Sequence, residues 1–136
     1  MTIDIQETLL IVVGSELIPE EKDRPLAYRL KDIIDREGST PFQRSIVVSD
    51  RWYLDNEMFH ICPTLLIGGP GVNAATAYFY KEMTLVWSEQ ETAFFQFKSP
   101  DCFSLWGMNQ AGTDRAIQYF IESGQLKDLL NRCWKR

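Results

Sequence analysis

The sequence predicts a single three-layer α/β domain: a mostly parallel sheet, extended by an antiparallel hairpin, with helices on both faces. Three observations predict it. Residues 8–13 and 64–67 are short, continuous apolar runs closed by glycine, as expected of parallel strands covered on both sides. Segments with apolar residues at helical spacing alternate with these runs, which is the pattern of strand-helix-strand units. In residues 92–98, Ala93, Phe95 and Phe97 alternate with Gln96 and Lys98, the period of an antiparallel strand.

Taken in order, residues 8–13 form the first, central strand, and Gly14 ends it with Ser15 and Glu16 just beyond. Residues 24–37 read as a helix with Pro25 in its first turn, a stripe of Leu26, Ala27, Leu30, Ile33 and Ile34, and Gly38 as the stop. Residues 45–48 are a second strand, followed by Ser49, Asp50 and Arg51. Residues 52–60 have no clean period and carry a turn signal at Asp55 and Asn56, so a loop or short helix over the sheet edge is expected.

The strand at 64–67 runs into Gly68, Gly69, Pro70 and Gly71, and then into a helix expected over about 74–83. Either Asn73 caps that helix or Pro70 starts it earlier. Residues 84–87 and 92–98 make the hairpin around a polar turn, and residues 102–106 are the last strand, ended by Gly107. Gly112 and Thr113 open a helix whose stripe is Ala116, Ile117, Phe120 and Ile121. Gly124 ends or bends it, and Leu126, Leu129, Leu130 and Cys133 mark a final amphipathic helix.

At 136 residues one domain is expected, large enough to build a core without staples. A net charge of -5 with dispersed basic residues, apart from Lys135 and Arg136 at the end, argues against nucleic acid as a partner. Three cysteines at wide spacing, Cys62, Cys102 and Cys133, read as buried free thiols in a reducing compartment and provide no ligand set for zinc. The first seven residues are acidic where a signal peptide would be basic, and no apolar run approaches the roughly 18 residues a membrane span needs. A cytoplasmic location, away from membranes, is therefore expected.

In open α/β sheets ligands bind beyond the carboxyl ends of the strands, where the topology changes direction. Ser15, Asp50, the turn at 68–73 and the segment from Gly107 to Asp114 are expected to converge there. The candidate ligand-binding residues are Ser15, Asp50, Gly68, Gly69, Gly71, Asn73, Asn109, Gly112, Thr113 and Arg115, for a small polar or anionic ligand held by backbone amides and a bidentate arginine. The turn matches neither GxGxxG nor GxxxxGKS, and Pro70 removes one donor, so a purely structural turn is the stronger reading. Likewise Thr113 and Asp114 suit an N-cap and acidic first turn that need no ligand. The sequence leaves any cofactor unknown.

His60, the sole histidine, is expected as a hydrogen-bonded, partly buried ring rather than a base, and no GxSxG elbow or neighbouring Cys and His marks a nucleophile. The tryptophans, Trp52, Trp87, Trp106 and Trp134, are accounted for mostly by core packing. Phe94 is the exception, because alternation sets it on the face opposite Phe95 and Phe97. Either the final helix covers it or another subunit does, as in a homodimer through the hairpin.

The run Leu65 to Asn73 with Thr76, then Gly107, Gly112, Thr113 and Ala116, resembles a Gly-Gly-Pro-x-Val-Asn turn followed by a Gly-Thr-x-x-Ala helix start in the α/β domain of archaeal surface-layer proteins. The resemblance spans about residues 64–121 and implies a paired-turn architecture with no known catalytic activity. This chain departs from that family in having one small domain and no secretory signal. Three functions are therefore carried forward: a small-ligand binding domain, a ligand-free assembly module, and a small hydrolase using Asp50 or His60.

Overall fold

The computed structural model describes residues 4–134; the basic pair 135–136 and residues 1–3 of the acidic N-terminus lie outside them. Six strands form one sheet: β1 (Thr8–Val13), β2 (Arg44–Ser49), β3 (Thr64–Ile67), β4 (Thr84–Glu89), β5 (Ala93–Ser99) and β6 (Cys102–Gly107). Their order is β2-β1-β3-β6-β5-β4, with β2, β1, β3 and β6 mutually parallel and β5 antiparallel to both its neighbours. Every residue of β1 is buried, in keeping with its central place and its unbroken apolar run.

Alternation along β1 divides the core. Leu9, Ile11 and Val13 face helices α1 (Leu17–Asp35), α4 (Gln110–Glu122) and α5 (Gln125–Trp134), whereas Leu10 and Val12 face α2 (Asp50–Asp55), the 3-10 helix Glu57–Ile61 and α3 (Ala74–Phe79). The three-layer α/β architecture is thus as the sequence predicts. Among the described residues no helix is long and apolar enough to cross a membrane.

Several boundaries differ from expectation. The first long helix begins at Leu17, seven residues before Arg24, so Pro25 lies in its interior. Pro19 sits in the first turn, where a missing N–H costs nothing, and the buried positions Pro19, Asp23, Leu26, Ala27, Leu30 and Ile34 continue one helical stripe. An acid occupies that stripe at Asp23, which hides the early turns from a search for apolar period. Helix α3 stops at Phe79 and tightens into a 3-10 turn, Tyr80–Glu82, so the helix expected to residue 83 is shorter. Helix α4 starts at Gln110, with Asn109 as its cap; Thr113 is not the cap but a buried residue of the first turn. Gly124, at φ 86°, ends α4.

The register aligns the carboxyl ends. Ser49 of β2, Val13 of β1, Ile67 of β3 and Leu105 of β6 stand in one row across the sheet. The chain therefore leaves β1, β2, β3 and β6 at a common edge, and that edge is where the candidate residues must be compared.

Candidate functional site

At this edge the segment from Gly68 to Asn73 folds back across the gap between β1 and β3. A Cβ on Gly14 would collide with the Val72 carbonyl, so the point where the chain reverses direction is filled by the protein's own backbone. Two clefts remain on either side, and Val72 borders both.

The first, of about 440 Å³, lies between the ends of β3 and β6 and is closed by α1 and the start of α4. It takes in Gly68, Gly69, Asn109 and Thr113 of the candidate residues, together with Gly107, Asp23, Lys22 and the apolar side chains of Ile18, Val72 and Met108. The second, of about 640 Å³, lies beside β1 and β2 and takes in Ser15, Asp50, Gly71 and Asn73. Gly112 and Arg115 line neither. Gly112 is pressed against the Thr92 carbonyl and the Gly107 backbone, while Arg115 donates to Glu89 on β4 at 2.9 Å and lies over the Trp87 ring. Arg115 thereby ties the hairpin to α4 instead of serving the strand ends.

The polar groups of the second cleft are already spent. Asp50 is buried and accepts from the Ser15 hydroxyl and the Arg51 amide through Oδ1, and from the Ala74 amide through Oδ2, at 2.7–2.8 Å. Asn73 uses both ends of its amide. Its Nδ2 donates to the carbonyls of Val12 and Ile67, and its Oδ1 accepts from Ala75 and Thr76 at the start of α3. Of the two ways of starting that helix, Asn73 as cap is the one observed. At the mouth, Glu16 and Arg51 pair with each other in solvent.

In the first cleft Asn109 accepts from the Gly112 amide as the cap of α4, and Thr113 accepts from the Gly107 amide at the end of β6. Asp23 differs. Asp23 is 6% exposed overall; among the described residues no hydrogen bond or ion pair reaches its carboxyl, whose oxygens keep some contact with solvent at the cleft. The Oδ2 atom lies against Gly68, whose φ is +108°, and a Cβ there would come within 2.9 Å of it. Burial pushes the Asp23 carboxyl up from the ordinary value of 3.8 to about 6. Sequence reading missed this residue, although the signal was present: an acid four residues after Pro19 and three before Leu26, on the stripe that faces the core.

Other reactive groups are engaged elsewhere. His60 is half-buried, stacks on Tyr53 with ring centroids 4.1 Å apart, and hydrogen-bonds through Nε2 to the Tyr53 carbonyl at 2.7 Å. It borders neither cleft. Cys62, Cys102 and Cys133 are free thiols, each raised above the usual thiol range by burial, the last two to about 11, so they stay protonated and poorly nucleophilic near neutrality. Among the described residues no group of three or more His, Cys, Asp or Glu is arranged to hold a metal ion. No protein-family model, curated protein or solved structure matches the chain.

Two consequences can be measured. Replacing Asn73 by Ala removes a helix cap and leaves two strand carbonyls without their donor, and should lower stability by about 2–4 kcal/mol in urea unfolding. Because the folded protein holds the Asp23 proton more tightly than the unfolded chain does, the stability this carboxyl contributes is full below about pH 4. It is lost as pH rises through about 6, by about 3 kcal/mol in total. Asp23→Asn should therefore be more stable than wild type above about pH 7, the gap closing toward pH 4 in matched unfolding curves.

Proposed function

We propose that this protein is a small-ligand binding domain whose site is the cleft between the ends of β3 and β6. The observation that carries the reading is the pairing of the two glycine-rich turns around one cavity that holds an unpartnered buried carboxyl. Holding a carboxyl in a largely apolar place costs stability, and a bound ligand is one way of supplying the partner that the fold does not. The site suits a polar ligand with an apolar body, given walls of Ile18, Val72 and Met108. Asp23 sets an anion at a disadvantage in this cleft, so of the polar and anionic ligands expected, the polar is favoured.

A thermal-shift panel of neutral, cationic and anionic small molecules should raise the melting temperature for members of at least one class, since binding to the folded state alone stabilises it. Gly69→Val, which drives a side chain into the Trp106 ring, should abolish that shift. A panel with no stabilising member would contradict the reading.

An assembly module is the second reading, and one observation favours it. Helix α5 packs on the face of Phe95, so it does not cover Phe94, which stacks on Trp106 at 4.4 Å on the other face. Beside it on edge strand β4, Leu85 and Val86 are 52% and 45% exposed. If this surface joins two copies, light scattering should give a mass that rises with concentration, and Val86→Lys should hold the protein at the monomer mass.

A further inference from the structure

We propose that the cleft between β3 and β6 takes a small organic cation, an amine on an apolar body, whose ammonium group donates to the Asp23 carboxylate. The assignment rests on the reading of this cleft as a ligand site and adds the chemistry of the ligand.

Position argues first. Asp23 occupies a core-facing place on α1, between Pro19 and Leu26, where an apolar side chain would pack at no electrostatic cost. A buried carboxylate is retained in such a place when a cation or several donors meet it. The protein supplies neither among its described residues.

The surrounding charges argue second. Lys22, exposed at the mouth, is the one other charged residue lining the cleft. Arg24, the residue that follows Asp23 on α1, is paired with Glu20 at 2.9 Å. The start of α4 presents Asn109, Gln110, Ala111 and Thr113, none of them charged; Asp114, one residue on, is paired with Arg29. The 68–72 segment carries no charge at all. Among the described residues no cation is paired with Asp23.

Access argues third. Gly68 lies flush against Oδ2 and Gly69 against the Trp106 ring, so the wall near the carboxylate is bare backbone, while Ile18, Val72 and Met108 offer apolar surface for the remainder of a ligand. With the carboxyl raised to about 6, the anionic form dominates near neutrality and fades in mild acid, whereas a simple amine stays charged throughout.

Benzylamine, benzyl alcohol and benzoate share one apolar body and differ in charge, so they serve as probes. Each is titrated at matched ionic strength into 15N-labelled full-length protein, and the amide signals of Gly68, Gly69 and Gly107 are followed. Benzylamine should shift these signals saturably, with affinity about tenfold or more above benzyl alcohol, and should weaken about tenfold between about pH 7.5 and pH 5. Asp23→Asn should erase the preference for the amine while leaving the weak binding of benzyl alcohol. If benzyl alcohol or benzoate shifts the glycines as strongly as the amine does, or if Asp23→Asn binds the amine unchanged, the cation assignment is overturned and the cleft survives as a ligand site. If none of the three shifts those signals at millimolar concentration, the assignment and the ligand cleft both fall.

Discussion

The arrangement depends on one side chain. Asn73 donates to a carbonyl at the end of β1 and to another at the end of β3, and with its oxygen it caps α3. Two parallel strands are thus fixed at a common level and joined to the helix that follows them. Buried carbonyls at strand ends require donors, and a single carboxamide can satisfy two of them while accepting from helix amides. Asp50 repeats the device alongside, bonding the Ser15 hydroxyl after β1 and the Ala74 amide in the first turn of α3. Together they draw the 68–73 segment over Gly14 and close the gap between β1 and β3.

That closure fills the place where strand direction reverses. A ligand at an open α/β sheet is ordinarily sought where strand direction reverses, and here backbone occupies that place. The open space lies on either side of it, beside β1 and β2 and between β3 and β6. The two clefts contrast above all in the state of their polar groups. Around Ser15, Asp50 and Asn73 the hydrogen-bonding capacity is consumed within the fold, so those residues hold structure and have little left with which to recognise a ligand. Around Asp23 a largely buried carboxyl has no protein partner among the described residues. Free polar capacity, not glycine content, separates a site from a joint.

Much of this was legible in the chain. Unbroken apolar runs marked β1 as the central strand and β3 as a strand, and period-two spacing marked β5, because both patterns follow from which faces of a strand are covered. Helix limits were harder. The early turns of α1 expose Leu17 and Ile18 and bury Pro19 and Asp23, inverting the polarity that a helical pattern is expected to show. Residue type alone did not separate Asn73 as cap from Pro70 as first turn, and at α4 Thr113 read as the cap where the structure has Asn109.

The sequence by itself determined the class of fold, the order of strands and helices along the chain, and the glycine-rich turns, because these depend on local conformation and on short-range polarity. Only the tertiary structure decided which turns face one another. Placing Arg115 on Glu89, Ser15 on Asp50 and Asp23 beside Gly68 depends on register and on helix packing, which bring together residues 26, 35 and 45 positions apart. Whether a polar side chain is free or already bonded is settled by those distant neighbours, and no local pattern carries that information.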